Sequence, residues 1–163
     1  MSKSEDHLPL YGPGPLYVGT IAVLTVAAIV GSLVGVLSVA RPAVLVWPMR
    51  IAGAALVAGG IALWVAAVFG AKIDEGIEGN HLVTAGAYAL VRNPIYTAFS
   101  LVCTGVLLAF GNLWLLVLPL VFWLFMTLLM RATEEKWLLE LYGQDYADYC
   151  ARVNRCIPWF PRR

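Results

Sequence analysis

Hydrophobic residues fill four long runs of the chain, and polar residues are largely confined to the segments between and after these runs. The runs are residues 16–40, 51–71, 95–110 and 113–130. A helix needs about 20 apolar residues to cross the hydrocarbon layer of a bilayer, and the first two runs contain no charged residue. The pattern therefore predicts an all-α integral membrane protein with about four transmembrane helices.

Turn-forming and helix-breaking residues add detail to this pattern. Gly111 and Asn112 separate the third run from the fourth, which predicts a tight helical hairpin. Pro119 lies inside the fourth run, where it is expected to kink the helix and free a backbone carbonyl. Apolar residues recur at helical spacing in residues 137–142. The last membrane helix is therefore predicted to continue past Arg131 as an amphipathic segment at the membrane surface.

The composition agrees with a membrane protein, and it gives no support for a nucleic-acid-binding protein or a zinc protein. Of the 163 residues, 61% are hydrophobic and 13% are charged, whereas about 25% of residues are charged in typical soluble domains. The net charge of +1 and the absence of a Lys/Arg run give no indication of nucleic-acid binding. The three cysteines and two histidines lack the clustered spacing of a zinc site, so no metal site is expected.

Positive charges predict the orientation in the membrane. Four spans place the N-terminus, residues 72–94 and the C-terminal tail on one side, which carries nine of the eleven Lys and Arg residues. Only Arg41 and Arg50 fall on the other side. Because cytoplasmic segments are enriched in Lys and Arg, both termini are predicted to be cytoplasmic. Residues 1–71 are then expected to form a two-helix membrane region, and residues 72–163 a second membrane region in which the loop and the tail would together build any catalytic site.

The loop between the second and third runs contains groups suited to binding an anion. Residues 81–96 read HLVTAGAYALVRNPIY. Pro94 suits the first turn of a helix, where free backbone N–H groups favour an anion, and Arg92 adds a two-pronged donor. Gly86 permits close approach of the backbone to a ligand. The alternative is that Arg92 and the tyrosines only anchor the protein among lipid headgroups.

The tail brings an acidic pair to the membrane boundary. Glu134 and Glu135 follow the last apolar run directly, opposite the loop that carries Arg92. Ionisable residues at such a depth are costly and often functional. The alternative is a solvated acidic face that pairs with Arg131 and Lys136.

These two segments together resemble the isoprenylcysteine carboxyl methyltransferase family and the related phospholipid methyltransferases. The residues in step with the first family block are His81, Leu82, Val83, Thr84, Gly86, Tyr88, Arg92, Pro94 and Tyr96. Those in step with the second block are Glu134, Glu135, Gly143, Tyr146, Tyr149, Arg152, Val153, Ile157 and Pro158. The resemblance covers roughly residues 72–160, and the first two spans share only their hydrophobicity with the family.

The resemblance implies methyl transfer from S-adenosylmethionine to a lipophilic acceptor, such as the carboxylate or thiol of a prenylated or lipid-like molecule. The acceptor would enter from the bilayer between the third and fourth helices, where Pro119 would open a gap. The implied cofactor-binding residues are His81, Leu82, Val83, Thr84, Gly86, Tyr88, Arg92, Pro94, Tyr96, Glu134, Glu135 and Tyr146. Glu134 or Glu135 would accept hydrogen bonds from the ribose or hold Arg92 in place. The implied catalytic residues are Arg131, Glu134 and Asn93.

Asn93 departs from the family pattern, which has a histidine at this position. Asparagine forms hydrogen bonds but cannot take up a proton near neutral pH, so a general base is lost here while a binding role can survive. Two alternatives stay open: a steroid-reductase-like membrane enzyme that uses NADPH, and a membrane scaffold without catalysis. The sequence leaves the methyl acceptor and the oligomeric state undecided.

Overall fold

The computed structural model of the protein describes residues 12–70 and 82–159. Every regular element in these two ranges is a helix, as the sequence predicted. In chain order the elements are α1 (Gly14–Leu33), α2 (Ala43–Gly70), α3 (Ala87–Leu90), α4 (Pro94–Phe110), a 3-10 helix (Leu113–Val117), α5 (Leu118–Ala132) and α6 (Glu134–Arg152).

The long helices are apolar enough to cross a membrane. Three stretches reach the necessary length and hydropathy: α1, α2, and the 3-10 helix together with α5. Helix α4 has 17 residues, or about 25 Å at 1.5 Å per residue, which is slightly short of the roughly 30 Å hydrocarbon layer. The multi-pass membrane architecture is therefore confirmed, with α4 as the short fourth span.

Glycines allow α2 and α4 to pack with their backbones in contact. A Cβ atom added at Gly53 would lie 2.5 Å from the carbonyl oxygen of Gly105, and one added at Gly105 would lie 2.5 Å from that of Gly53. Two helical turns further along α2, a Cβ at Gly60 would lie 2.8 Å from the carbonyl oxygen of Ala98. Small residues are the usual means of close helix association in lipid, and here they tie the short α4 to the longest helix.

The first two helices differ from the predicted runs at the end of the bundle away from the tail. Helix α1 ends at Leu33, not at residue 40, because Gly35 takes a left-handed φ of 79° and Leu37 N–H donates to the carbonyl oxygen of Gly31. Helix α2 begins at Ala43 and contains Pro48, so it starts eight residues before the predicted run. Arg50 therefore lies within a helix and not in a connecting loop.

The predicted hairpin between the third and fourth runs is present. Gly111 ends α4 with a left-handed φ of 81°, and Asn112 is fully buried beside it. The Asn112 side chain accepts a hydrogen bond from Ala40 N–H at 3.0 Å and donates one to Ser32 Oγ at 3.1 Å. One buried amide thus joins this turn to the end of α1.

Pro119 does not kink the fourth span, so this prediction was wrong. It lies in the first turn of α5, directly after the 3-10 helix, where a proline removes no helical hydrogen bond. The Leu115 carbonyl, which an interior proline would leave free, accepts a hydrogen bond from Leu118 N–H. The first turn of α5 is also the end away from the tail, so Pro119 opens no gap beside the loop and tail.

The last span does not continue smoothly into the tail. Helix α5 ends at Ala132, and Thr133 has non-helical angles of φ −126° and ψ −92°. Helix α6 starts at the next residue and bends again at Gly143, where φ is 52°. The amphipathic segment exists, but two breaks turn it back towards the loop.

Candidate functional site

The loop, the tail and the start of α1 meet at one end of the helical bundle. A Cβ atom added at Gly12 would lie 2.9 Å from Glu134 Oε1, and one added at Gly14 would lie 2.9 Å from the Tyr96 hydroxyl. Because both residues are glycines, the backbone at the start of α1 can lie directly over Glu134 and Tyr96. The structure thus brings the two predicted halves of the site together.

The last described part of the tail, residues 153–159, lies along the loop and the first turn of α4; we call this segment the strap. Four hydrogen bonds hold it there. They join Arg92 N–H to Asn154 O at 2.8 Å, Asn93 Nδ2 to Arg155 O at 3.1 Å, Thr97 Oγ1 to Cys156 O at 3.2 Å, and Trp159 N–H to Leu90 O at 3.0 Å. All four use a backbone atom of the strap, and two of them also use a backbone atom of the loop, so the strap fixes the path of the loop.

Cys156 of the strap fills the space between α4 and α5 at this end of the bundle. It is 9% exposed and belongs to the hydrophobic core with Tyr17, Phe122 and Met126. Its Sγ lies 3.7 Å from Thr127 Oγ1 on α5, and its carbonyl accepts a hydrogen bond from Thr97 Oγ1 on α4. The gap predicted between the third and fourth spans is therefore occupied by the chain itself.

A cluster of three charged side chains lies beneath the strap: Arg92, Glu135 and Arg155, the arginine cluster. The Arg155 guanidinium forms a two-pronged pair with Glu135, through Nε to Oε1 and through Nη2 to Oε2 at 2.8 Å. Arg92 Nη1 lies 3.1 Å from the same Oε1 atom. Their side chains are only 9%, 16% and 23% exposed for Arg92, Glu135 and Arg155. The hydrogen bond to Glu135 raises the pKa of Arg155. Two guanidinium groups and one carboxylate give the cluster a formal net charge of +1.

One donor of the cluster is left without a partner. Arg92 Nη1 donates to Cys150 Sγ and forms an ion pair with Glu135 Oε1. Arg92 Nε, however, is buried and finds no acceptor in residues 12–70 and 82–159. A buried donor without an acceptor costs about 1–3 kcal/mol. The buried N–H and the surplus positive charge together define a place for an anionic oxygen.

Glu134 points away from this cluster and pairs with Tyr96. The Tyr96 hydroxyl donates to Glu134 Oε1. Burial raises the pKa of the Glu134 carboxyl above its usual value, and the Tyr96 hydrogen bond opposes the rise. Burial, with a smaller contribution from the Glu134 charge, raises the pKa of nearby Tyr88 to about 12. The two adjacent glutamates thus serve different partners: Glu135 holds arginines and Glu134 holds a tyrosine.

Tyr146 and Tyr149 form a small apolar cluster between α6 and the loop. They are 4% and 3% exposed, and they pack with Val153 against Leu82 and Leu138. The Tyr149 hydroxyl donates to the Tyr88 carbonyl at 2.6 Å. Burial raises the pKa of both phenols, so they are neutral. Both side chains are buried near Arg92, and their role as a lid stays a prediction.

The remaining loop residues vary in their placement. Gly86 precedes α3 with φ 61°, a conformation that favours glycine, and Pro94 occupies the first turn of α4 as predicted. Val83 is half-buried and Thr84 is exposed. His81 lies outside the described residues.

Two of the three predicted catalytic residues have a different setting from the one expected. The Asn93 amide is engaged with the strap carbonyl of Arg155. Arg131 is exposed in the last turn of α5 and forms no ion pair within the described residues. Glu134 is half-buried and lies against Tyr96, in the first turn of α4.

The sequence analysis missed two contributors, Arg155 and Cys150. Arg155 contributed only to the count of positive charges, and nothing in its spacing from Glu135 signals a pair, because a helix bend and a turn separate them. Cys150 follows Tyr146 by one helical turn, and that spacing places it on the buried face of α6. This was the available signal for its contact with Arg92.

Comparison with known proteins gives two matches. Residues 48–145 match the phospholipid methyltransferase family. Protein-S-isoprenylcysteine O-methyltransferase of Schizosaccharomyces pombe is 37% identical over 81 residues, which are 49% of this chain and 34% of that relative. The chain thus spans about a third of the length of the curated relative it matches. No solved structure shows a significant match.

Proposed function

The chain belongs to the phospholipid methyltransferase family, and from that premise we propose that it transfers a methyl group from S-adenosylmethionine to a lipophilic acceptor. The family match ends at residue 145, so it includes Arg92 and both glutamates but not the strap. The residues that the resemblance assigns to the cofactor are therefore the ones to compare with the geometry.

The buried Nε of Arg92 is the observation that carries this proposal. S-adenosylmethionine has an amino-acid end with one carboxylate, which needs a positive site and N–H donors. The arginine cluster has one net positive charge, and Arg92 Nε has no acceptor among the described residues. Charge-assisted hydrogen bonds from arginine to a carboxylate are among the stronger ones in proteins. The residues present therefore fit the acidic end of this cofactor.

Other residues of the site would hold the rest of the cofactor. Bound S-adenosylmethionine supplies a methyl group activated by its sulfonium. Glu134 offers one carboxylate oxygen beyond the one that Tyr96 occupies, and an adjacent carboxylate suits a cation or a ribose hydroxyl. By resemblance, the loop backbone at residues 82–86, Tyr88 and His81 belong to the same set. Tyr146 and Tyr149 keep water out. Alignment of the reacting groups is the main contribution such a site can make.

The acceptor is a lipid-like molecule because the membrane-facing side of the site is apolar. An open groove of about 280 Å³ lies between α2 and α4, lined by Gly60, Ile61, Trp64, Ala98, Phe99 and Val102. Phe99 is one helical turn from Tyr96, so the groove begins next to the site. With the space between α4 and α5 filled by Cys156, this groove is the better place for the acceptor's chain. Arg131 at the boundary would attract an anionic acceptor, and the site would face the cytoplasm.

The test is to titrate the purified protein in detergent with S-adenosylmethionine and, separately, with NADPH. Calorimetric binding of S-adenosylmethionine alone is the expected result. Binding of NADPH alone would replace the proposal with a reductase, and binding of neither would indicate a scaffold. Transfer of a tritiated methyl group into material extractable with organic solvent would then identify the acceptor class, with carboxyl esters released by mild base and amine or thioether products retained.

A further inference from the structure

We propose that Arg155 is a positioning residue that keeps Arg92 available for an anionic ligand by occupying Glu135. The identity of that ligand, the carboxylate of S-adenosylmethionine, rests on the proposed function. The role of Arg155 itself rests on the contacts in the arginine cluster. Arg155 lies beyond the residues that match the family, so the match assigns it no role.

Competition for one carboxylate is the first step of the argument. Glu135 has two oxygen atoms, and the fork of Arg155 engages both. Arg92 reaches only Oε1, through its terminal Nη1 atom. A carboxylate and a guanidinium favour a two-pronged arrangement when both are free to adopt it. Arg155 therefore occupies the two-pronged position on Glu135 that Arg92 would otherwise be free to occupy.

The consequence for Arg92 follows from geometry and charge together. With Arg155 removed, both oxygen atoms of Glu135 become available, and Arg92 can turn to offer Nε and a terminal nitrogen to them. Its unpartnered donor would then be used within the protein. The net charge of the cluster would fall from one positive charge to zero. Both changes weaken an anion site in a region where the side chains are 9–16% exposed and water screens charges poorly.

The strap explains how Arg155 is held in place. The Arg155 carbonyl accepts a hydrogen bond from Asn93 Nδ2, and the carbonyl of the preceding residue, Asn154, accepts one from Arg92 N–H. The following residue, Cys156, is buried in the core. Arg155 is thus anchored through its backbone on both sides. Replacing its side chain leaves these anchors intact, so the strap is expected to stay folded.

The decisive test is a double-mutant cycle with Arg155→Met and Glu135→Gln, followed by calorimetric binding of S-adenosylmethionine to the protein in detergent. Arg155→Met is expected to weaken binding about tenfold or more, the usual scale for losing a charge-assisted contact. Arg155→Met/Glu135→Gln restores the single net positive charge and removes the competitor for Arg92. It is expected to bind more tightly than Arg155→Met alone. If Arg155 only braced the strap, removing Glu135 as well would give no recovery.

Two further variants serve as controls. Arg155→Lys keeps the charge without the fork and is expected to fall between the parent and Arg155→Met. Lys136→Met removes one positive charge from an exposed side chain next to Glu135 and is expected to bind like the parent. Equal binding by the parent and Arg155→Met would overturn the inference, as would equal losses in Arg155→Met and Lys136→Met.

A measurement without ligand separates this inference from the proposed function. In protein labelled with ¹⁵N-arginine, the Nε–H resonance of Arg92, assigned with Arg92→Lys, reports whether that donor has an acceptor. Arg155→Met is expected to shift it downfield, and Arg155→Met/Glu135→Gln to return it towards the parent position. An unmoved resonance would overturn the role of Arg155 even if S-adenosylmethionine binds. A parent that binds no S-adenosylmethionine would overturn only the proposed function.

Discussion

The contact between α2 and α4 and the contact between the strap and the loop hold the same molecule together by opposite means. In the first, glycine backbones touch: Gly53 lies against Gly105, and Gly60 lies against Ala98. In the second, hydrogen bonds and ion pairs join polar groups, among them Arg92, Glu135 and Arg155. The first contact lies within the spans and the second lies at their end.

The difference follows from the two environments, the lipid interior and the membrane boundary. Within lipid, apolar side chains gain nothing by leaving their surroundings, so helices associate through close packing of small residues. At the membrane boundary, backbone N–H and C=O groups of the loop must find partners, and the strap supplies them. We therefore expect the first contact to be sensitive to added volume and the second to be sensitive to the loss of a donor or a charge.

The largest effect is expected from adding volume to the apolar contact. Gly53→Val places a Cβ 2.5 Å from the Gly105 carbonyl oxygen and 2.7 Å from Ala109 N, and both are backbone atoms that cannot move aside alone. Overpacking a well-packed core costs about 1–3 kcal/mol and occasionally more, and this case is expected at the upper end. Thermal unfolding in detergent, followed by fluorescence-detected size exclusion, measures the loss.

Gly59 gives the matched control, because it lies in the same helix and a Cβ there would meet nothing within 4 Å. Gly59→Val is expected to unfold at nearly the parent temperature. Similar losses in Gly53→Val and Gly59→Val would mean that the glycines matter for helix conformation and not for the close approach of α2 and α4.

The next largest effect is expected at the polar contact, on binding and not on folding. Arg92→Ala removes the unpartnered donor and the surplus charge, and it is expected to weaken S-adenosylmethionine binding ten- to a hundredfold, about 1.5–3 kcal/mol. Because Glu135 keeps its two-pronged pair with Arg155, the unfolding temperature is expected to change little. Calorimetry and thermal unfolding on the same preparation test both statements. Unchanged binding with a large loss of stability would make Arg92 a structural residue only.

Sequence reasoning succeeded wherever a local pattern decides the structure. The apolar runs identified the spans, Gly111 marked the turn between α4 and α5, and Pro94 marked the first turn of α4. It failed where helix ends depend on one residue's backbone angle. Gly35 ends α1 within a run that is apolar throughout, and hydropathy carries no information about φ. Pro119 was misplaced for a related reason: the preceding residues form a 3-10 helix, so the proline begins a helix that seemed continuous.

The candidate site shows the same division. The paired blocks indicated which residues gather at the membrane boundary, and the structure brings the loop and tail together there. The partners within the site depend on the path of the tail, which reverses at Thr133 and Gly143. No local pattern links Glu135 to Arg155, or Glu134 to Tyr96. For this reason the resemblance could suggest that a glutamate holds Arg92 but could not say which one.

A smaller effect is expected from Glu134, a half-buried carboxylate that contacts Tyr96 at the start of α4. Burial raises its pKa above the usual 4.5, so the folded protein holds this proton more tightly than the unfolded chain does. Stability from this group is therefore greatest below about pH 4.5 and falls as pH rises through the folded pKa. Glu134→Gln keeps an acceptor for Tyr96 and is expected to flatten this fall. Unfolding temperatures from pH 4.5 to pH 8 measure it, with exposed Glu140→Gln as the control that should retain the parent slope. If the unfolding temperature falls with pH equally steeply in the parent and in Glu134→Gln, the raised pKa of Glu134 is contradicted.

The smallest effect is expected at Asn93, where this chain departs from the family pattern. Asn93 Nδ2 donates to the Arg155 carbonyl, so its side chain serves the polar contact as a hydrogen-bond donor, and an imidazole N–H can serve in the same way. Asn93→His is therefore expected to keep methyl transfer within about tenfold of the parent, a barrier change below roughly 1.4 kcal/mol. Asn93→Leu, which has a similar size and no donor, is expected to lower both activity and the unfolding temperature. Activity that appears only in Asn93→His would instead show that the position needs a base, and that the natural protein does not catalyse the transfer.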